Sequence, residues 1–120
     1  MDITVRLSVA RSIAAFICIV AVDAVVLPAA RNLQIYPRVS LAIPYALIAY
    51  AILAVVLGSL ETEKPAFAGA LVGFTVYGIF NGTELALRPD WRRWKTPLFD
   101  VTYGTAICAA AAAVAAAVRL

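Results

Sequence analysis

Three carboxylates lie inside otherwise apolar stretches of the sequence, where an acid either binds something or holds neighbouring segments together. Asp23 comes late in the first apolar stretch, Glu84 late in the third and Asp100 early in the fourth. If these stretches are antiparallel membrane helices, the three acids lie toward the same side of the membrane. Amide and hydroxyl groups fall in the same half. The predicted polar intramembrane cluster consists of Asp23, Asn81, Thr83, Glu84, Asp100, Tyr103 and Thr105.

Two interpretations of this cluster are open. In the structural interpretation, the acids pair with nearby arginines and hydroxyls and hold helix ends together. Glu84 is spaced to pair with Arg88 along one helix, and Asp100 lies near a helix N-terminus, where the macrodipole favours an anion. In the functional interpretation, the cluster is a half-depth pocket that binds or passes a proton, an ion or a small polar solute. The nearby arginines favour the structural interpretation, except at Asp23, which lies deepest and has no cation close to it in the sequence.

The composition indicates that lipid is the solvent of this chain. Of its 120 residues 64% are hydrophobic and 14% charged, and the mean hydropathy is +0.93. A soluble domain of this size cannot bury so much apolar surface. Four stretches approach the ~20 apolar residues that a spanning helix needs. We therefore expect one all-α domain over residues 1–120, an integral membrane bundle of four antiparallel transmembrane helices with short loops, the spans lying at about 8–30, 41–60, 66–87 and 98–118.

The first of these stretches also has features of a cleavable signal peptide, with basic residues before an apolar run. Asp23 interrupts that run, so the stretch is interpreted as the first span.

Small residues on the last two stretches predict close helix packing. The third stretch contains two pairs of glycines four residues apart, a spacing typical of helix contacts in membranes. The fourth ends in an alanine tract over residues 109–117, which is either a face covered by another protein chain or simple low-complexity sequence. The predicted packing residues are Gly69, Gly73, Gly78, Gly82 and Gly104.

Basic and aromatic residues gather at the ends of the apolar stretches, although the net charge is only +3. Tryptophans between arginines occur in nucleic-acid sites, but an interfacial belt that contacts lipid headgroups explains them better here. Of the ten lysines and arginines, six lie on the side of the first and third connections. That excess favours both termini facing away from the cytoplasm or matrix. The predicted interface residues are Arg31, Arg38, Arg88, Trp91, Arg92, Arg93, Trp94 and Lys95.

Catalysis has no recognisable basis in the sequence. Histidine is absent, and the two cysteines, Cys18 and Cys108, lie in mid-span, where small buried hydrophobic residues are expected. There is no phosphate-binding loop, no nucleophile–base pair and no metal-ligand spacing. We expect a protein that is not an enzyme and that has no cofactor, no metal and no catalytic residues.

Two motifs stand out in the second half of the chain. One is Tyr-Gly-Ile-Phe-Asn-Gly-Thr-Glu from Tyr77 to Glu84, and the other is Asp-Val-Thr-Tyr-Gly-Thr from Asp100 to Thr105. Together with Asp23, they resemble the signature of a family of small four-span membrane proteins catalogued as domain of unknown function 2177. The family usually has asparagine where this chain has Glu84. The resemblance implies the four-span fold and a shared polar cluster, and it implies no reaction.

These observations lead to two functional hypotheses. The first is a non-enzymatic structural or accessory subunit that packs within a larger membrane-embedded assembly, either a multi-subunit complex or a membrane-containing particle. The alternative is a small proton- or cation-coupled transporter in which Asp23 titrates while Asp100 and Tyr103 line the path. The expected partners are the lipid bilayer and other membrane subunits or a second copy of the chain, with no nucleic acid.

Overall fold

Four α-helices and one short β-ribbon make up the computed structural model, which describes residues 2–33, 43–89 and 94–118. In chain order the elements are β1 (Thr4–Val5), α1 (Val9–Asn32), α2 (Ile43–Gly58), β2 (Leu60–Glu61), α3 (Pro65–Leu87) and α4 (Lys95–Ala117). Helices α1, α3 and α4 are long and apolar enough to cross a membrane. Helix α2 is apolar but has 16 residues, about 24 Å of helix against a hydrocarbon core of about 30 Å. The predicted all-α fold with four helices is confirmed.

The helix bounds differ from the predicted spans in two places. The second span was predicted to reach residue 60, but α2 ends at Gly58 and the next residues enter the β-ribbon. Helix α4 begins at Lys95, three residues earlier than predicted, so that Pro97 lies in its first turn. Proline is tolerated there because the first-turn amides have no partner within the helix. Hydropathy alone misses both boundaries, since Leu60 in β2 is as apolar as a helix residue and the start of α4 is polar.

Contacts along the helices show that neighbours in sequence run antiparallel. Asn81 of α3 lies beside Asp100 of α4, and Gly73 lies beside Gly104. In the same way, Asp23 of α1 lies beside Tyr103 of α4. Helix α4 packs against all three other helices, and α3 packs mainly against α4. The arrangement is therefore centred on α4, which differs from a bundle in which each helix packs evenly on two neighbours.

The apolar core lies where α1, α2 and α4 meet. Ala15 and Ile19 from α1, together with Leu57 from α2, pack against the face of α4 that carries Cys108 and Ala111, and all five side chains are almost wholly buried. Alanines on α4 let the other helices approach closely, because a methyl group keeps the axes near to one another. The same closeness appears between α1 and α2, where a Cβ atom on Gly58 would lie 2.5 Å from the backbone nitrogen of Ser12.

A short antiparallel ribbon closes the end of the molecule that holds the start of α1, and the sequence analysis did not predict it. Thr4 pairs with Glu61 and Val5 with Leu60. The backbone amide of Arg6 continues the ribbon by donating to the carbonyl of Ser59 at 2.8 Å. The segment between α2 and α3 is thus a ribbon strand followed by a turn.

Side chains tie this ribbon to the helices. The carboxylate of Glu61 lies 3.3 Å from Arg6 Nε and 3.8 Å from Arg11 Nη1. Arg11 Nε also donates to the carbonyl of Val118, just beyond α4, at 3.0 Å. We call Arg6, Arg11, Glu61 and Val118 the terminal clasp. Through it, α1, the ribbon and the C-terminal end of α4 are held together.

Candidate functional site

The centre of the candidate site is Asp23, an acid that is only 7% exposed. It lies nine residues before the last residue of α1, which puts it about 14 Å from that end of the helix. The hydroxyl of Tyr103 on α4 donates a hydrogen bond to its Oδ1 atom. Tyr50 on α2 is a second hydrogen-bonding partner of the same carboxylate. A single side chain on α1 is therefore linked to two other helices.

A second polar pair lies next to the first, one turn away along α4. Asn81 on α3 is 9% exposed, and its Nδ2 donates to Asp100 Oδ2 at 2.7 Å. The same amide group donates to the carbonyl of Tyr77 at 2.7 Å, one turn back on α3. Asp100 and Tyr103 are three residues apart on α4, so they share a face. Asp23 thus contacts the turn of α4 next to the one that carries Asp100, which brings two of the three carboxylates of the predicted cluster close together.

Tyr77 connects the two pairs. Its ring packs directly on Gly104 of α4, where any side chain would collide with it. From this position, it is electrostatically coupled to both Asp23 and Asp100, as well as to Tyr50. We call Asp23, Tyr50, Tyr77 and Tyr103 the carboxylate–tyrosine site; each of its members comes from a different helix.

The local sequence of α3 explains how this site is formed. Gly69, Gly73, Tyr77 and Asn81 recur every four residues, so they lie on one face of the helix. A Cβ atom on Gly73 would come within 2.5 Å of the carbonyl oxygen of Gly104, and Gly69 packs as tightly on the backbone of Cys108. Because the glycines bring α3 against α4, the larger residues further along the same face reach across to the polar pairs.

Four groups that carry no positive charge are coupled to Asp23: Tyr50, Tyr77, Tyr103 and Cys108. The ion pairs of the terminal clasp lie at the other end of α1. Over the described residues there is no group of three side chains suited to hold a metal ion. The arrangement can accept hydrogen bonds and positive charge.

Comparison with known proteins gives a family but no activity. The model of a family described as a predicted membrane protein (DUF2177) matches residues 9–117. This chain belongs to that family. No curated protein and no solved structure matches it. The match runs from the start of α1 to the end of α4, so it includes every member of the carboxylate–tyrosine site.

Three residues of the predicted polar cluster do not belong to the carboxylate–tyrosine site: Thr83, Glu84 and Thr105. Thr83 and Glu84 are exposed on α3. The hydroxyl of Thr105 donates to the carbonyl of Val101 in its own helix at 2.7 Å. The described ion pairs do not include one between Glu84 and Arg88, both of which are exposed. The prediction that Glu84 joins the other two carboxylates is therefore wrong; the helix turns it away from them.

The second glycine pair of α3 does not pack against the part of the chain that the structure describes. A Cβ atom on Gly78 or Gly82 would meet no atom of the described residues within 4 Å. Gly78 follows Tyr77 by one residue, which is about 100° around the helix and away from α4. The inner pair, Gly69 and Gly73, together with Gly104, makes the close contacts.

The predicted interface residues are described only in part. Arg38, Trp91, Arg92 and Arg93 lie outside the described residues. Trp94 is 56% exposed, and Lys95 Nζ lies 5.9 Å from its ring centroid. Arg31 is half-buried at the end of α1. Trp94 and Lys95 stand at the start of α4, and their contact with lipid headgroups stays a prediction.

Tyr50 was missed because nothing in its local sequence marks it as polar-facing. It lies in an apolar run between Ala49 and Ala51, and tyrosine is common in membrane helices. A usable signal was the depth: Tyr50 is seven residues after the first residue of α2, and Asp23 is nine residues before the last residue of α1, so the two lie at similar levels once the helices are antiparallel. Tyr77 is the first residue of one of the two sequence motifs, but it was not placed in the predicted polar cluster.

Proposed function

We propose that this chain is a non-enzymatic structural subunit of a membrane-embedded assembly, and that a neighbouring helix of the assembly packs on the outer side of α3. The observation that carries this proposal is the open glycine pair, Gly78 and Gly82. Glycine inside a helix costs roughly 0.5–1 kcal/mol relative to alanine, so two glycines that touch none of the described residues destabilise the helix without a visible gain from packing.

The surroundings of this pair support a protein neighbour. Leu71, Thr75, Gly78, Gly82 and Ala86 follow one another at helical spacing and form the outer α3 face. The hydroxyl of Thr75 is satisfied by the carbonyl of Leu71 at 2.8 Å. A helix can therefore approach this face closely without leaving a polar group unpaired. Such a groove of small residues is how membrane helices pack, because van der Waals contact drives their association.

The proposal is tested by the mass of the native protein and by filling the groove. The protein is extracted from its own membrane in mild detergent and its particle mass is measured with the unaltered chain, with Gly78→Leu and Gly82→Leu, and with Ala51→Leu on the exposed side of α2. We expect the unaltered chain and Ala51→Leu to travel in a larger particle, and the glycine variants to leave it. Because a Cβ atom at Gly78 or Gly82 meets no atom of the described segments within 4 Å, the variants should stay folded.

A lone monomer, or glycine variants that keep the full particle mass, would contradict this proposal. Thermal unfolding of each variant in detergent distinguishes loss of assembly from loss of fold. Gly73→Leu serves as the unfolding control, since it places a large side chain against the backbone of α4.

A second candidate function is proton- or cation-coupled transport, and the burial of Asp23 favours it. An acid within a membrane helix is costly and is commonly part of a substrate or proton path. The test is uptake of the organic cation tetraphenylphosphonium into vesicles under a pH gradient, with Asp23→Asn compared with Glu84→Gln, whose acid is exposed. Transport through the site predicts that the first variant loses uptake while the second keeps it. Equal uptake by both variants, or none by the unaltered protein, would count against it.

A further inference from the structure

We infer that the β-ribbon is an anchor in the membrane interface. Its apolar side, formed by Ile3, Val5 and Leu7, lies among the acyl chains of the lipids, and its polar side faces the headgroups and water. This goes beyond both proposed functions, because it concerns neither the outer α3 face nor the carboxylate–tyrosine site. The inference rests on which side chains share each side of the ribbon and on the surface of α1 that continues it.

Contacts identify the polar side of the ribbon. Thr4 lies directly opposite Glu61 in the ladder, and residues opposite one another in an antiparallel pair point to the same side. The Nε atom of Arg6, two residues after Thr4, lies 3.3 Å from the Glu61 carboxylate, so Arg6 reaches the same side. Asp2 and Lys64 join Thr4 and Glu61 in lining one pocket. One side of the ribbon is therefore polar and charged.

The other side of the ribbon is apolar and projects beyond the helices. Successive side chains of a strand alternate between its two sides, so Val5 points away from the side of Thr4. Its partner in the ladder is Leu60, which packs against the apolar core. Ile3 and Leu7 hold the alternate positions before and after Val5, and Val5 and Leu7 are 73% and 71% exposed. The ribbon thus rests on the helices through Leu60 and overhangs them with Val5.

A stripe of exposed apolar side chains on α1 leads to this overhang. Val9, Ile13 and Ile17 recur every four residues, so they share one side of the helix, and each is more than half exposed. Helix α1 is long and apolar enough to cross a membrane. Leu7 precedes Val9 by two residues, so the exposed apolar surface of the spanning helix continues onto the ribbon.

Acyl chains fit this surface better than a second protein helix does. Membrane helices approach one another through small residues, as α3 approaches α4 through Gly69 and Gly73. The side chains of the α1 stripe are instead large and branched at Cβ, which keeps a rigid helix at a distance. Flexible lipid chains can fill the spaces between them.

The backbone at the ribbon suits the boundary between headgroups and acyl chains. Polar backbone groups that enter hydrocarbon must be paired. The amide of Arg6 donates to the carbonyl of Ser59 at 2.8 Å, and the amide of Ser59 donates to the carbonyl of Val55 at 3.1 Å. The side chain of Arg6 is 76% exposed, and its length lets the guanidinium reach the headgroups from a backbone at the depth of Val5. Amphipathic helices lie in the interface in the same way, with the apolar side inserted.

Tryptophan fluorescence measures the depth of each side. In a background with Trp91→Phe and Trp94→Phe, single tryptophans are introduced by Val5→Trp, Leu7→Trp and, as the matched control on the polar side, Thr4→Trp; all three side chains are exposed. The purified chains are reconstituted in phosphatidylcholine vesicles with or without bromine on the upper part of the acyl chain. We expect Val5→Trp and Leu7→Trp to lose fluorescence to brominated lipid and to be protected from aqueous acrylamide, and Thr4→Trp to show the reverse. Leu7→Trp keeps the test valid if Val5→Trp does not fold.

A polar substitution gives a second measurement without any added tryptophan. Thermal unfolding of Val5→Asn and Thr4→Asn is followed in lipid nanodiscs. We expect Val5→Asn to lower the unfolding midpoint, because an amide enters the acyl-chain region, and Thr4→Asn to leave it nearly unchanged. Since Val5 is mostly exposed within the chain, equal midpoints for the two variants would show that lipid does not cover it.

Three fluorescence results would overturn the inference. Strong acrylamide quenching of both Val5→Trp and Leu7→Trp would place the apolar side in water. Protection of both from acrylamide and from brominated lipid would show that protein covers this side. Quenching of Thr4→Trp equal to that of Val5→Trp would show that the ribbon is not two-sided in the membrane. Because the single purified chain is used, these results depend on neither the native particle mass nor cation uptake, and the two proposed functions keep their own tests.

Discussion

Hydrogen bonds from tyrosine to a buried acid have two effects inside a membrane. They satisfy an acceptor that lipid cannot satisfy, and they specify which turns of which helices meet. Asp23 accepts hydrogen bonds from tyrosines on two helices, and Asp100 accepts a hydrogen bond from the amide group of Asn81. At the residue scale, these polar pairs fix the register of helices whose apolar and alanine-rich faces would otherwise slide on one another.

Replacing Tyr103 with phenylalanine should destabilise the protein by about 1–2 kcal/mol, because it removes the donor to a buried carboxylate and leaves the ring in place. Tyr45→Phe is the matched control, since Tyr45 is 76% exposed on α2. Unfolding in mixed micelles with increasing fraction of sodium dodecyl sulfate gives both free energies. Equal values for the two variants would show that the Asp23 link does not stabilise the fold.

A double-mutant cycle on Asn81 and Asp100 should give a coupling free energy of about 0.6–1.7 kcal/mol, the range found for hydrogen bonds between membrane helices. The cycle uses Asn81→Ala, Asp100→Ala and the double variant, measured by the same unfolding assay. It isolates the 2.7 Å bond between the two side chains from the other contacts of each residue. Additive effects of the two substitutions would show that this bond adds nothing in the membrane.

Helix α3 presents two glycine pairs with the same spacing and opposite environments. Gly69 and Gly73 face α4, and Gly78 and Gly82 face outward from it. At the element scale, the difference between the pairs is one of phase around the helix. In steps of four residues, Gly69 and Gly73 are followed by Tyr77 and Asn81 on the face toward α4. Gly78 comes one residue after Tyr77 and Gly82 one residue after Asn81, so the outer pair lies about 100° further around the helix.

Alanine at the two positions should therefore have effects of opposite sign. Gly73→Ala is expected to destabilise by about 1–3 kcal/mol, because its Cβ would meet the carbonyl oxygen of Gly104 at 2.5 Å. Gly78→Ala should stabilise by up to about 1 kcal/mol, since it removes a flexible residue from an open helix face. Thermal unfolding of the purified single chain in detergent measures both. A destabilising Gly78→Ala in the isolated chain would show that this face is packed after all.

The helices and the level of the acids were predictable from the sequence because hydropathy and antiparallel order fix them. The placement of Asp23 and Asp100 in one half follows from chain order alone. The side of the helix on which each polar residue lies depends on phase, and this was misjudged for Glu84, which hydropathy cannot distinguish from Asn81. Tyr50 could not be identified, because a tyrosine in an apolar run has the same appearance whether its hydroxyl binds an acid or points to the interface.

Two groups of contacts hold the whole molecule together, one at the start of α1 and the other deeper along the helices. The terminal clasp joins the start of α1 to the end of α4 and to the ribbon, and the carboxylate–tyrosine site joins all four helices deeper in. The clasp escaped prediction because Arg11 and Glu61 are 50 residues apart, and their proximity depends on where α2 ends.

Arg11→Ala should cost more stability than Glu61→Gln. The pairs of Glu61 are partly exposed, and such pairs contribute at most about 1 kcal/mol and weaken with salt. Arg11 additionally donates a hydrogen bond to the backbone carbonyl of Val118. Because this acceptor is uncharged, salt should weaken the bond less than it weakens the ion pairs. Thermal unfolding in detergent at low and high salt measures the two variants. If both substitutions had the same effect at high salt, the bond to Val118 would not contribute.

Helix α4 is the last of the four helices to leave the ribosome, yet it is the one on which the other three converge. During synthesis, α1 and α2 can pair as a hairpin, but Asp23 has no Tyr103 and α3 has no α4 to pack against. Newly inserted α3 must therefore wait in the bilayer with its glycine face toward lipid. Only when α4 inserts does Asp23 meet Tyr103 and Asn81 meet Asp100, so membrane insertion and folding of this chain are separate steps in time.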